Sequence, residues 1–180
     1  MRYAQIRSMD ISNGEGVGVS LFVQGCDRHC FNCFNSETWD FNGGKEWTEE
    51  TKNKFIELID RPYINRISVL GGEPLAEQNL DEVLSLIKEI SIAFPEKTIW
   101  LYTGYELSEI VKQEQYEKVS GIPSVWSKRW KIISNVDVLV DGEYIDDQKD
   151  LTLKWRGSKN QRVIDVKQSL AQNKVVLYCD

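Results

Sequence analysis

Four short apolar runs punctuate the chain, at 17–24 (V-G-V-S-L-F-V-Q), 67–70 (I-S-V-L), 98–102 (T-I-W-L-Y) and 136–140 (V-D-V-L-V). Each is too short for a helix and gives way to a glycine or polar turn, the pattern of a buried strand. Between the runs the period changes to that of helices. Thr48 predicts an N-cap for a helix whose apolar stripe is Phe55, Leu58 and Ile59. Asn79, with Glu82 three residues on, predicts a capping box for a helix carrying Leu80, Val83, Leu84 and Ile87 on one face, closed by Pro95. A third helix is predicted from Leu107 to about Val119, followed by a loop at 121–124, while 125–134 has no decisive period.

Strands alternating with helices predict βα units around a mainly parallel sheet, an α/β fold. Four or five such units are too few for a complete eight-stranded barrel, which takes about 250 residues, so an open, partial (β/α) barrel is expected. Ligands of parallel sheets bind at the carboxyl ends of the strands. The segments that fall there are the loop after Gln24, Gly71-Gly72-Glu73-Pro74, Thr103-Gly104 and Asp141-Gly142.

The first of these loops changes the picture. Gly25 to Asn35 reads G-C-D-R-H-C-F-N-C-F-N, setting Cys26, Cys30 and Cys33 in a C-x3-C-x2-C spacing. Three thiolates on one loop can hold three irons of a [4Fe–4S] cluster, whereas a closed ferredoxin-type cluster needs four cysteines. An iron without a protein ligand is the reactive position, as the open coordination site is in catalytic zinc. The competing reading is a Cys3His zinc site using His29, the only histidine; no second separated ligand pair supports it. Phe31 and Phe34 would shield a cluster from water. The fourth cysteine, Cys179, reads as a free or packing thiol, with cluster ligation as the alternative.

Other segments admit two readings. Gly71-Gly72-Glu73-Pro74 can be a tight turn, or a place where a ligand's polar head reaches the backbone while Glu73 accepts from an ammonium. Tyr102-Thr103-Gly104-Tyr105 can be a packed strand end or a ligand wall. Arg156, in Trp155-Arg156-Gly157-Ser158, suits bidentate carboxylate binding or a protein partner within an otherwise solvated loop. Trp126-Ser-Lys-Arg-Trp130-Lys131 interleaves aromatics and cations as single-stranded nucleic-acid binders do, but also as an amphipathic surface helix does.

The net charge of −6 favours the helix and argues against a phosphate-tracking surface or any nucleic-acid partner. Residues 1–10 carry Arg2 and Arg7 but no apolar signal region, and no stretch approaches the roughly 18–20 apolar residues of a membrane span. A cytoplasmic protein without a membrane partner is therefore expected. In a reducing compartment three cysteines within eight residues point to ligation more than to disulfides.

The cysteine spacing together with Gly71-Gly72-Glu73-Pro74 resembles the radical S-adenosylmethionine (SAM) enzymes. More closely, the chain resembles the activating proteins of anaerobic (class III) ribonucleoside-triphosphate reductases. The supporting segments are Asp10-Ile-Ser-Asn-Gly14, Leu21-Phe-Val-Gln-Gly-Cys26, Thr103-Gly-Tyr105, Val138-Leu-Val-Asp-Gly142 and Trp155-Arg-Gly-Ser158 with Asn160-Gln161. The resemblance covers about residues 3–165. It implies one radical SAM domain over 1–180, with an insertion at 114–134 and an extension at 166–180.

It also implies Cys26, Cys30 and Cys33 as metal ligands and catalytic centre. Asn32, Cys33, Phe34, Gly71, Gly72, Glu73 and Thr103 are the implied SAM contacts. In such enzymes one electron from the cluster cleaves SAM to methionine and a 5′-deoxyadenosyl radical. That radical takes hydrogen from a glycine near the carboxyl terminus of the reductase, and reduced flavodoxin or a similar donor supplies the electron. Two alternatives stand beside this expectation. One is another small radical SAM enzyme, acting on a different glycyl-radical enzyme or on a small molecule. The other is a non-catalytic iron–sulfur electron carrier, which requires a fourth ligand.

Overall fold

The computed structural model describes residues 1–120 and 125–179; the loop expected at 121–124 lies outside them. The strands are β1 (Arg2–Asp10), β2 (Gly18–Val23), β3 (Lys45–Glu46), β4 (Arg66–Gly71), β5 (Thr98–Tyr102), β6 (Val138–Asp141) and β7 (Arg162–Asp165). The α-helices are α1 (Glu49–Ile59), α2 (Leu80–Ala93), α3 (Leu107–Ser120), α4 (Val125–Ile133) and α5 (Val166–Gln172). One seven-stranded sheet runs in the order β3-β1-β2-β4-β5-β6-β7. Its centre, β2-β4-β5-β6, is parallel; β1, β3 and β7 join antiparallel at the two sides. The sheet is open, and the four apolar runs are its parallel centre.

Register sorts the side chains. Leu21, Val69, Leu101, Leu139 and Ile164 align across adjacent strands on one face. That face carries the core, where Phe55 and Ile59 of α1, Leu80, Val83, Ile87 and Ile90 of α2, Leu107 and Ile110 of α3, and Ile132 and Ile133 of α4 pack. The alternate positions look the other way and are different in kind: Ser20, Phe22, Arg66, Ser68, Trp100, Tyr102 and Val140. Helices cover the first face; the second is left for a cavity.

Thr48 caps α1 as expected, its hydroxyl accepting from Thr51 N. At the other end of α1 the ammonium of Lys97 donates to Ile59 O, a carbonyl the helix leaves free, and to Arg61 O just beyond it. The stretch 125–134 is helical, but α4 is not a surface helix throughout, since Arg129, Ile132 and Ile133 are buried. Beyond α5 the chain returns along β7, Tyr178 N donating to Val163 O and Ile164 bridging Leu177. Residues 177–178 thus add to the sheet's edge. Among the described residues no helix is long and apolar enough to cross a membrane.

Candidate iron–sulfur site

Because β2, β4, β5 and β6 are parallel, the loops that leave them meet at one edge. There a cavity of about 570 Å³ opens, with Cys26, Cys30, Cys33, Phe34, Gly71, Gly72, Glu73 and Thr103 on its wall. Asn32 alone of the expected contacts is not on that wall. Its amide donates to Asp146 Oδ2 at 2.9 Å, and its backbone turns left-handed, with φ 55°. Arg28 and Tyr144, which carry no local signature, join the lining, as do Ser12, Asn13, Tyr102, Trp155 and Arg156 from the segments singled out in the sequence.

The cysteine loop is held at both ends. Gly25 N and Cys26 N donate to Thr38 O and Trp39 O, and Gln24 Nε2 reaches Glu37 O and Asp40 O. Between them the chain turns tightly, Cys33 N bonding Cys30 O and Asn35 N donating to Cys33 Sγ at 3.4 Å. All four cysteines are free. Burial pushes the Cys26 thiol up, opposed by the backbone amides of Arg28 and His29. Burial lifts Cys30 to about 11, and Glu143 with the other two cysteines adds to the rise. Loading iron therefore means displacing protons from these thiols.

The donor set fits a cluster better than a single ion. Among the described residues no three His, Cys, Asp or Glu side chains converge on one point. The thiolates of a cluster each take a different iron and need no such point. His29, required by the zinc reading, stacks its ring on Trp39 with centroids 4.7 Å apart. Cys179 packs against the cluster of Trp100, Val138, Val140 and Val163.

The glycines after β4 serve close approach of two loops. A Cβ on Gly72 would lie 2.3 Å from Gly25 O, and Gly71 sits at φ 107° with its Cβ direction against the Phe22 backbone. Gly72 N and Glu73 N donate to Val23 O and Gly25 O, so this turn is sewn to the start of the cysteine loop. The Glu73 carboxylate is 1% exposed. It accepts from Leu75 N at 2.9 Å, Thr103 Oγ1 at 2.7 Å and Gly104 N at 2.8 Å. Burial raises its pKa and those three donors oppose the rise. Glu73 and Thr103 thus tie the turns after β4 and β5 together, leaving one carboxylate lone pair for an outside donor.

Asn79 departs from its expected role. Its side chain makes no cap bond to α2. Instead the buried amide donates to Gln24 O at 3.1 Å and Glu73 O at 3.0 Å, bridging the two loops. A capping box is a local pattern, and here two long-range carbonyls compete for the same donor and win. The two roles predict opposite results for Asn79→Asp. A cap would tolerate aspartate, whereas the bridge sets a carboxylate against two buried carbonyls. We expect Asn79→Asp to lose about 2–3 kcal/mol in urea unfolding, against about 1 kcal/mol for removal of an ordinary cap.

α4 reaches the site as well. Arg129 donates to Leu75 O and to Tyr105 Oη, and its guanidinium lies 4.3 Å from the Tyr105 ring centroid. Arg28, between Cys26 and Cys30, lies 3.7 Å from the same ring centroid. α4, through Arg129, therefore braces the Gly-Gly-Glu-Pro turn, and through Tyr105 the cysteine loop, by hydrogen bonds and cation–π contacts.

A three-cysteine loop at the carboxyl edge of an open parallel sheet defines a single-cluster iron–sulfur protein, and the family described as "4Fe-4S single cluster domain" matches residues 12–164. Curated relatives narrow this further. The anaerobic ribonucleoside-triphosphate reductase-activating protein of Salmonella typhi is 38% identical over 165 residues, covering 91% of this chain and 97% of that protein. The protein of the same name from Escherichia coli (strain K12) is 36% identical over the same shares. That of Enterobacteria phage T4 is 36% identical, covering 91% of this chain and 93% of its own length. The chain belongs to the family of anaerobic ribonucleoside-triphosphate reductase-activating proteins.

Proposed function

We propose that this chain is a glycyl-radical-generating activase whose protein substrate is an anaerobic ribonucleoside-triphosphate reductase. The observation that carries the proposal is the meeting of the cysteine loop, the Gly-Gly-Glu turn and Thr103 around one open cavity. An open sheet with helices on one face supports a partial (β/α) barrel of the radical SAM type, and the whole chain, 1–180, acts as one domain. When bound, a [4Fe–4S] cluster with SAM supplies a one-electron cleavage of the sulfonium carbon–sulfur bond, giving methionine and a 5′-deoxyadenosyl group that takes one hydrogen atom from the partner's glycine.

The chain's own residues bind, orient and shield. Cys26, Cys30 and Cys33 hold three irons. Gly71 and Gly72 let the turn after β4 press against the cysteine loop, so backbone groups, with the remaining Glu73 acceptor, meet the methionine end. Thr103 and Gly104 fix the Glu73 carboxylate from β5. Phe34 shields the cluster side, its ring tilted against Tyr144 at 5.4 Å between centroids. Asn32 acts from outside the cavity by turning the loop toward Asp146. The open side admits a glycine-bearing segment of the partner.

Reduced flavodoxin or a similar donor, a cytoplasmic setting, and no nucleic-acid or membrane partner complete the reading. The electron-carrier alternative needs a fourth ligand, for which Cys179, packed against Trp100, Val138, Val140 and Val163, is the remaining cysteine.

The test is anaerobic reconstitution, reduction with dithionite and addition of SAM. The expected outcome is 5′-deoxyadenosine and, once the reductase is added, a glycyl-radical EPR signal. A stable cluster that ignores SAM overturns the activase.

A further inference from the structure

We infer that Arg156 is the receptor in this cavity for a carboxylate group; the inference rests on the activase reading. Arg156 lies between β6 and β7, in a turn built to hold it still. Gln161 Oε1 accepts from Gly157 N at 2.9 Å and Ser158 N at 3.1 Å, while Gln161 Nε2 donates to Gly142 O at 2.9 Å. The turn is thereby pinned to the loop leaving β6. The preceding residue, Trp155, sits in the left-handed region at φ 58°, which a bulky side chain rarely adopts. Its ring is fixed edge-on to Trp100 and to Tyr178, with centroids 5.0 and 6.0 Å away. Strain of this kind persists only where packing enforces it, and here it directs the next side chain to the cavity wall.

That side chain is left without a partner. Arg156 has no ion pair or hydrogen bond among the described residues, and its Nε is shielded from solvent and unpaired. Three aspartates of the neighbouring loops are already engaged: Asp141 holds Arg162, Asp146 holds Tyr144 and Asn32, and Asp150 holds Thr152 and Lys159. In a chain of net charge −6, a rigid guanidinium with no acid of its own is matched to an acid from outside. The planar fork binds a carboxylate through two parallel N–H bonds, which lysine cannot reproduce. Two carboxylates enter this cavity under the activase reading: the methionyl carboxylate of SAM, and one on the partner's glycine-bearing segment.

The test uses the full chain, anaerobically reconstituted, as wild type, R156Q and R156K. The probes are SAM, decarboxylated SAM and the intact reductase. SAM binding is followed by its effect on the reduced-cluster EPR spectrum, and partner binding by the reductase concentration at half-maximal radical formation. If the methionyl carboxylate is bound, R156Q weakens SAM by roughly tenfold to a hundredfold and leaves decarboxylated SAM unchanged. If the partner's carboxylate is bound, R156Q binds both SAM forms as wild type does, and the half-maximal reductase concentration rises at least about tenfold. R156K recovers only part of either loss, and carries the same comparison should R156Q lose its iron. Wild-type values for SAM and reductase in both variants overturn the inference alone. Wild-type protein that binds no SAM overturns the activase reading, and the inference with it.

Discussion

Replacing Cys26, Cys30 or Cys33 by alanine is expected to remove site-bound iron and reduce 5′-deoxyadenosine formation to background in each variant separately. In the proposed cluster the three side chains are not interchangeable supports around one ion, because each holds its own iron. Losing any one leaves a second iron without a protein ligand, in a cluster designed to have only one. The fold has little stake in the change. Cys30 and Cys33 are half-exposed, and the loop is pinned by bonds from Gly25, Cys26 and Gln24 to the backbone between Glu37 and Asp40.

Cys179→Ala is the internal control. Its side chain packs with Trp100, Val138, Val140 and Val163, so it should keep full iron and full SAM cleavage. Iron and labile sulfide analysis beside a far-UV spectrum checks both halves. A complete cluster in any of the first three variants, or its loss from Cys179→Ala, would sink the assignment. Loading should also quicken as pH rises, because burial holds Cys26 above its ordinary value and lifts Cys30 to about 11.

How much of this was legible in the sequence depends on how local each signal is. The strands β2, β4, β5 and β6 were, since each is a short apolar run that stops at a polar turn or glycine. Their parallel order then forced the cysteine loop, the Gly-Gly-Glu turn and Thr103 to one edge. β1 and β7 were not. β1 has polar residues at most positions because only Tyr3 and Ile6 of it pack against the core, and β7 is four residues at the end of a polar segment.

α4 was ambiguous for a physical reason. Arg129 reads as a surface cation, yet its long side chain is buried to reach Leu75 O and Tyr105. Asn79 carried the right local pattern and the wrong role, since nothing nearby reveals that Gln24 O and Glu73 O need a donor. Asn32, an expected cofactor contact, makes a left-handed turn, and its amide donates to Asp146.

The second large effect involves a pair that no local pattern announces. Asp10→Ala is expected to destabilise the protein by about 3–5 kcal/mol, a large part of the 5–15 kcal/mol typical of a domain. Arg66 is 0% exposed, on the face of β4 turned away from the helices. Its Nη2 donates to Asp10 O at 2.6 Å, its Nη1 donates to Ser68 Oγ at 3.0 Å, and the Asp10 carboxylate lies 3.6 Å away. Burial pulls the Arg66 pKa down, and Asp10 is the charge that opposes it.

The same carboxylate accepts from Ser12 N, Asn13 N and Asn13 Nδ2, shaping the loop that brings Ser12 and Asn13 to the cavity. Gly14 and Gly18 exist to let this guanidinium pass, since a Cβ on either would meet Arg66 at 2.6 Å. Removing Asp10 leaves a buried, uncompensated cation and three unpaired donors. Combining it with Arg66→Met should recover much of the loss, because the cost lies in the orphaned charge.

The pH dependence has a definite sign. Burial raises the Asp10 pKa, but the bonds from Asn13 and Ser12 outweigh it and leave it below its ordinary value. Its contribution is therefore complete above the unfolded value near 3.9 and fades as pH falls through the folded one. Urea unfolding at pH 7 should separate wild type from Asp10→Ala widely, and the gap should narrow below about pH 4. A gap under about 1 kcal/mol at pH 7, the scale of an exposed ion pair, would show that the charge is not buried.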